Sequence, residues 1–198
     1  MEYPGVERMD RYRPGGFHPV AIGDVFQDKY RVLNKLGNGV YATVWLVENT
    51  ITGRFASLKI IVADTSASSE LDVVRRIKEN QATTASPGGE YVMEIFDEFL
   101  LEGPNGVHQC IVSELLGPSI QQPDLEEIFP EDCFPIDMAK RMCAQIVQGL
   151  AHLHRFKIVH GGMPLLREFA LYYPHPTSFR SSSFEHPLAY TRDRKLDP

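Results

Sequence analysis

The sequence predicts an α+β fold, and three observations carry this prediction. Short β-favouring runs separated by turn residues begin at Tyr30. A second pair of such runs follows a helical segment at residues 68–80. Residues 137–155 then show a sustained helical period. The order of strands, helix, strands and helix is that of an α+β architecture.

The predicted sheet has five antiparallel strands and one helix packed with it. The runs YRVLNKLG and YATVWLVEN flank a glycine-bearing turn, and TITG leads into RFASLKIIV, which together predict a three-strand meander. Residues 68–80 contain strong helix formers and a serine N-cap candidate, with Leu71, Val74 and Ile77 on one face. SPGG ends this helix. The runs YVMEIFDEFLLE and VHQCIVSELL, joined by GPNG, predict a hairpin that supplies the last two strands.

The rest of the chain divides around this sheet. Residues 1–16, rich in Arg, Glu, Pro and Gly, predict an extended arm, and residues 17–116 the main domain. A proline-punctuated connector, with a short helix near Leu125, and a long helix occupy residues 117–162, whereas residues 163–198 predict an irregular tail. The long helix, 137–155, has an apolar stripe formed by Met138, Met142, Ile146, Leu150 and Leu153 and widened by Cys143, Val147 and Ala151.

Composition excludes several classes of protein. The chain has 198 residues and a formal charge of -6, which argues weakly against a nucleic-acid-binding surface. Its three cysteines lack CxxC spacing, so neither a disulfide framework nor a zinc site is expected. The polar N-terminus MEYPGVERMDRYRPGG excludes a signal peptide, and no apolar run approaches the roughly 18 residues of a membrane span. We therefore expect an intracellular protein, in the cytoplasm, the nucleus or both.

The turn LGNGVYATV is the first candidate functional segment. Gly37 and Gly39 allow the backbone to turn tightly, so that its N–H groups can face phosphate oxygens. A GxG pair alone is weak evidence for a phosphate-binding loop, because glycine turns are common in hairpins. A Rossmann motif is disfavoured because a strand follows the turn, whereas the order GxGxxGxV of a kinase glycine-rich loop fits, with Ala42 in place of the third glycine.

Lys59 and Glu70 are the second candidate pair. Lys59 lies on the third strand, 22 residues after Gly37, and Glu70 lies on the following helix. A strand lysine is usually solvated and a helix glutamate usually pairs locally. Taken together with the glycine turn, however, their order and spacing favour a lysine that reaches nucleotide phosphates while a helix carboxylate holds it.

These residues resemble the N-terminal lobe of a eukaryotic protein kinase. RYRPGGFHPVAIGDVF followed by YRVLNKLGNGVYATVWL is similar to the start of the SR-protein kinase family, the kinases directed at serine/arginine-rich proteins. The segment Gly15–Asp24 and Trp45 in TVWL are the most specific parts of this likeness. It covers about residues 10–162.

The resemblance implies a nucleotide site. In that family the matching positions bind ATP. Leu36 and Val44 would enclose the adenine, and Lys59 would pair with Glu70. The segment CIVSELLG resembles the hinge of the family, and the backbone of its Glu114 and Leu116 would form hydrogen bonds with the adenine edge. Ser113 would be the gatekeeper, where the family more often has a bulky residue. The glycine turn would cover the phosphates with Gly37, Asn38, Gly39, Val40, Tyr41 and Ala42, and Thr43 would also belong to the cofactor-binding residues. The implied cofactors are ATP and Mg²⁺, and the implied partner is an Arg/Ser-rich protein substrate.

The likeness stops at the catalytic loop. His160 matches the histidine of the H-x-D motif, but Gly162 replaces the catalytic aspartate, and no DFG, APE or loop asparagine follows. Loss of a general base costs about 10²- to 10⁴-fold, and loss of the metal-binding residues removes much of the charge neutralisation that phosphoryl transfer needs. We thus expect no catalytic residue and no metal ligand. A change of reading frame or an altered splice junction at Gly162 explains the abrupt break most simply.

Three functions stay open from the sequence. The first is a serine/threonine kinase of this family, truncated and catalytically impaired. The second is a nucleotide-binding or scaffolding pseudokinase, and the third is a non-functional product whose long helix exposes apolar residues. A metal site formed by His152 and His154 is disfavoured, because the two positions point to different sides of a helix.

Overall fold

A computed structural model describes residues 7–64, 68–83, 87–116 and 134–159 of the chain. The predicted short helix near Leu125, most of the connector and the tail lie outside these ranges, as do His160 and Gly162. The described elements are, in chain order, β1 (Val25–Phe26), β2 (Tyr30–Asn38), β3 (Ala42–Asn49), β4 (Arg54–Ile61), α1 (Ser68–Thr83), β5 (Ile95–Gly103), β6 (Gly106–Ser113) and α2 (Ile136–Arg155).

The strands form one antiparallel sheet in the order β1-β2-β3-β4-β6-β5. The predicted meander and hairpin are both present, and the α+β fold class is confirmed. The structure adds β1, in which Val25 and Phe26 pair with Arg31 and Tyr30. A strand of two residues is too short to show the alternation by which strands are recognised in a sequence.

Each face of the sheet carries its own apolar core. On the helix side, Val74 and Ile77 of α1 pack with Ile95, Ile111 and Leu153. This confirms two of the three apolar positions predicted for the first helix; the side chain of Leu71 lies outside the described residues.

The second core covers the opposite face of the sheet. It is built from alternate strand residues, among them Val32, Val47 and Leu58, together with Cys110. Burial raises the pKa of the Cys110 thiol to about 12, so this cysteine is an inert core residue.

The segment before β1 packs against the sheet over residues 7–20, which we call the N-terminal strap. The sequence predicts an extended arm up to residue 16, but Met9–Arg11 form a 3-10 turn. Phe17 is 1% exposed and its ring lies 5.7 Å from that of Tyr12. An apolar side chain buried this completely fixes the segment in place, and composition alone does not reveal its binding site.

Helix α2 packs against the 3-10 turn Gly89–Tyr91 through its last turns, where His152 and Leu153 are buried. The buried apolar stripe of α2 is narrower than the stripe predicted from the sequence. Met138, Met142, Ile146 and Leu150 are half-buried, whereas Cys143, Val147 and Ala151 are exposed. Val147 is 63% exposed. In the described part of the chain, no helix combines the length and apolarity needed to cross a bilayer.

Candidate functional site

A cavity of about 250 Å³ lies between the sheet, α1 and the segment that follows β6. Six of the residues predicted for the site from the sequence line it: Leu36, Val44, Lys59, Ser113, Glu114 and Leu116. They come from three strands and from the end of a fourth. The fold therefore brings together residues that are up to 80 positions apart in the chain.

Strand register explains why these side chains meet. Val44 of β3 lies opposite Gly37 of β2 on one side and opposite Lys59 of β4 on the other. Lys59 in turn lies opposite Ile111 of β6. Because directly opposed residues project to the same face of a sheet, these positions form a continuous floor.

Leu36 reaches the cavity through an irregularity of β2. The pairing with β3 shifts between Lys35 and Gly37, so Leu36 has no direct cross-strand partner. A bulge of this kind re-aims a side chain at the edge of a site. Leu36 thus lies over the same cavity as Val44.

The glycine turn closes on itself through the Gly39 N–H, which donates to the carbonyl of Ala42 at 2.8 Å. Neither Gly37 nor Gly39 is among the residues of positive φ, so the backbone conformation of the turn does not itself demand glycine at either position. Their contribution is space: a Cβ at either position would meet no atom within 4 Å. The turn therefore presents open backbone beside the cavity.

The other predicted residues of the turn take different positions. Asn38, Val40 and Tyr41 are exposed at its tip and do not line the cavity. Thr43 is fully buried, and its hydroxyl oxygen accepts a hydrogen bond from the indole N–H of Trp45 at 3.0 Å. The Thr43 side chain thus lies on the face of the sheet opposite the cavity, where it cannot contact a ligand in the cavity.

Lys59 supplies the cationic group of the cavity wall. The predicted partner, Glu70, falls within α1, but its side chain lies outside the described residues, so the pairing stays a prediction. Further along the same helix, Val74 is 2% exposed and lines the cavity. α1 is therefore positioned against the wall from which Lys59 projects.

The segment after β6 presents backbone groups to the cavity. The Glu114 N–H donates to the carbonyl of Glu94 at 3.0 Å, and the Glu94 N–H donates back to Oε1 of Glu114 at 2.8 Å. This exchange fixes the direction of residues 114–116. The Glu114 N–H is thus already bonded within the protein. The predicted gatekeeper, Ser113, lines the cavity and donates weakly to the Glu114 carbonyl at 3.4 Å.

Five further residues line the cavity without having been predicted for it: Ser57, Val74, Met93, Ile111 and Leu115. Ser57 could have been found by strand alternation, because it lies two residues before Lys59 and opposite Ser113. Val74 follows Glu70 by one helical turn. Met93 and Ile111 carried no sequence signal, since only the packing of the hairpin against β4 and α1 brings them to the wall.

Within the described ranges, no group of three or more His, Cys, Asp or Glu side chains could hold a metal ion. His152 is buried whereas His154 is exposed, which agrees with the expectation that the two do not share a ligand.

Comparison with known proteins gives one consistent family. Residues 30–163 match the family model described as protein kinase domain. The chain is 33% identical to a serine/threonine protein kinase of Aspergillus fumigatus over 164 residues, 82% of this chain and 41% of that kinase. It is 35% identical to the serine/threonine-protein kinase SRPK of Physarum polycephalum over 78% of this chain and 36% of the other.

A human relative points to the same family, and a solved structure shows the same fold. SRSF protein kinase 3 of Homo sapiens is 33% identical over 75% of this chain and 26% of the human protein. A crystal structure of a kinase domain superposes with a TM-score of 0.52 at 16% identity, covering 69% of this chain and 38% of the other, which supports the fold alone. The chain spans less than half the length of each of these relatives.

Proposed function

Because this chain belongs to the protein kinase domain family, we propose that residues 17–116 form its N-terminal lobe and bind ATP in the cavity beneath the glycine turn. The observation that carries the proposal is the meeting of Leu36, Val44, Lys59 and residues 114–116 around one cavity. Apolar walls with a few convergent polar groups are the usual form of a nucleotide pocket.

The adenine would lie between apolar side chains at the hinge end of the cavity. Leu36 and Val44 come from adjacent strands above it, and Met93 and Ile111 line the same space. The Glu114 carbonyl can accept a hydrogen bond from an exocyclic amine, and Leu116 can supply backbone groups to the same edge. These contacts favour a planar aromatic base with a donor and an acceptor side by side.

The phosphates would lie between Lys59 and the glycine turn. The ammonium group provides the positive charge, and the unobstructed backbone at Gly37 and Gly39 lets N–H groups approach the phosphate oxygens. Glu70 would hold the lysine in this position, as in the family. Such charge-assisted contacts are stronger than those between neutral groups.

We further propose that phosphoryl transfer by this chain is impaired. Gly162 stands where the family has its catalytic aspartate, and residues 163–198 offer no metal-binding motif of the family. The described residues include no group of three or more His, Cys, Asp or Glu side chains that could hold a metal ion. The binding half of the reaction is thus better supported than its chemical half.

The parent reaction would be transfer of the ATP γ-phosphate to Ser or Thr of Arg/Ser-rich proteins inside the cell. Two relatives carry SRPK or SRSF protein kinase in their names. The formal charge of -6 is compatible with a basic substrate. A scaffolding pseudokinase remains the second candidate, favoured by Gly162 and by the exposed apolar side of α2.

Two assays separate these functions. The first is thermal unfolding of the full chain with and without ATP, and the second is transfer of labelled phosphate to an Arg/Ser peptide. Stabilisation by ATP together with transfer that is lost in Lys59→Ala supports a kinase, and stabilisation without transfer supports a pseudokinase. Lys140→Ala, an exposed lysine on α2, is the matched control. Aggregation with neither signal would refute nucleotide binding.

A further inference from the structure

Two histidines from distant parts of the chain meet beneath the N-terminal strap. The ring centroids of His18, in the strap, and His108, in β6, lie 4.9 Å apart in a T-shaped contact. His18 is 8% exposed and His108 is fully buried. Phe26 of β1 contacts His18 from another side, with ring centroids 6.1 Å apart. The pair lies on the face of the sheet opposite the candidate nucleotide cavity.

Each ring leaves one buried nitrogen without a hydrogen bond. Nδ1 of His108 lies 2.8 Å from the carbonyl oxygen of Ile61. A carbonyl only accepts, so Nδ1 carries the proton, and the neutral ring then has its lone pair on Nε2. This Nε2 and Nδ1 of His18 are buried without a partner in the described residues. A proton added at either atom would therefore be a buried donor with nothing to bond.

His18 also fits into a space that only glycine provides. A Cβ on Gly103, at the end of β5, would lie 2.4 Å from the His18 imidazole. Gly103 is not among the residues of positive φ, so alanine is compatible with its backbone and only the ring stands in the way. The strap can therefore dock in this position only if residue 103 has no side chain larger than that of glycine.

The strap is hydrogen-bonded to the segment after β4, the strand that carries Lys59 of the cavity, and to the turn of the β5–β6 hairpin. The N–H groups of Ala63 and Asp64, just after β4, donate to the carbonyls of Gly16 and Gly15 at 3.2 and 2.8 Å. The amide of Asn105 donates to the Phe17 carbonyl at 2.6 Å. These bonds attach the strap to the ends of β4 and of the β5–β6 hairpin.

At its other end, the strap meets β2. Glu7 is paired with Lys35, the residue before Leu36, and Tyr12 donates to the same carboxylate. The Lys35 ammonium lies 5.3 Å from the ring centre of Trp45, the single tryptophan of the chain. Lys35 thus links Glu7 of the strap to the ring of Trp45, which is a natural fluorescent reporter.

We propose that the buried contact of His18 with His108 makes the N-terminal strap a pH-sensitive clamp, docked while His18 is neutral and released when His18 is protonated. A charge on the His18 ring would be buried against His108 and Phe26, and the new N–H donor at Nδ1 would have no acceptor. Release would free Lys35 of β2 and the end of β4, and would thereby weaken nucleotide binding. That last consequence rests on the proposed function, whereas release itself does not.

The charges around the pair give the direction of the effect. Burial lowers the pKa of His18 below its ordinary value of 6.5, and His108 of β6 lowers it further. Asp24, ahead of β1, opposes them, but its Oδ2 already accepts the Ala21 N–H at 2.7 Å. On β5, it is Gly103 that lies against the ring. A released His18 binds its proton more tightly than a docked one, so docking is favoured above the ordinary pKa and weakens as the pH falls below it.

Acrylamide quenching of Trp45 in the full chain without nucleotide tests the clamp. Between about pH 7.5 and about pH 5.5 we expect the quenching constant of the unmodified protein to rise at least about twofold while the far-UV circular dichroism stays constant, because release is local. His18→Phe, which keeps the ring contacts but cannot be protonated, should show no rise. Gly103→Ala should be strongly quenched at both pH values.

His154→Gln, which removes an exposed histidine, should behave like the unmodified protein. A flat quenching profile of the unmodified protein overturns the proposal, as does a rise retained in His18→Phe. Loss of circular dichroism in parallel with the rise overturns it too, because that signals global acid unfolding. If His18→Phe does not fold, the unmodified profile and Gly103→Ala decide the matter without it. ATP plays no part in this readout, so failure of nucleotide binding leaves its outcome unaffected.

Discussion

Replacement of Lys59 by methionine separates phosphate recognition from adenine recognition. The stem of Lys59 lies between Val44 and Ile111 on the neighbouring strands. Methionine preserves much of that apolar stem, so the change removes mainly the ammonium group. The cavity should keep its shape, and the adenine contacts from the hinge end should persist.

The expected size follows from the charge-assisted contact that is lost. A hydrogen bond to a charged group contributes about 1.5 to 3 kcal/mol, and each 1.4 kcal/mol is about a tenfold change in Kd. Lys59→Met should therefore weaken ATP binding by about 10- to 100-fold. Adenosine, which has no phosphate, should lose less than about threefold.

Calorimetric titration of both ligands into the full chain measures this difference, with Lys140→Met as the control for loss of an exposed charge. The reasoning is refuted if ATP and adenosine weaken equally, because the effect would then be a general distortion of the cavity. It is also refuted if ATP affinity does not change, because Lys59 would then face no phosphate.

Three further predictions concern stability. Asp97 accepts hydrogen bonds from Lys29 at 2.7 Å and from the Tyr30 hydroxyl at 2.9 Å; since this group is partly solvated, Asp97→Asn should cost about 1 kcal/mol and lower Tm by about 2 to 4 °C in a thermal melt. Leu153→Ala, at a buried position, should lower the free energy of unfolding in urea by about 2 to 5 kcal/mol. Val147→Ala, on the exposed side of α2, should lower it by at most about 0.5 kcal/mol. Equal losses of stability in the two variants would contradict the packing described for α2. Burial raises the pKa values of the Asp97 and Glu7 carboxyl groups, but the hydrogen bonds they accept outweigh it and hold both pKa values below the ordinary 3.8 and 4.5. The free energy of unfolding should therefore fall as the pH drops below these ordinary values. Chemical unfolding at a series of pH values that showed greater stability in acid would contradict this.

The fold was largely predictable because its elements carry strong local signals. Helix α1 follows from helix formers and a serine N-cap candidate, and the β5–β6 hairpin follows from the turn at Pro104 and Asn105 between two β-favouring runs. The docking of the strap was not predictable. It depends on His18 finding the space beside Gly103, 85 positions away in the chain, and a charged, glycine-rich segment gives no sign of that complement.

The candidate site divides in the same way. Lys59 was predicted from its spacing after the glycine turn, and Val44 from the family resemblance. Alternation along β3 and β4, a local property of strands, explains why the two share a face. The same period assigns Thr43 to the opposite face, where Trp45 bonds it, although the resemblance had placed the whole turn on the ligand. The role of Met93 depends on tertiary packing, so no pattern along the chain could have revealed it.

Hydrogen exchange of the full chain with and without ATP tests the nucleotide pocket most directly. ATP should slow exchange at residues 36–44, which form the glycine turn and its flanks, and at residues 114–116, which line the cavity. Adenosine should protect 114–116 while leaving the turn at Gly37 and Gly39 unprotected, since only phosphates would contact it. Unchanged exchange at both segments in the presence of saturating ATP would contradict the assignment of this cavity to a nucleotide.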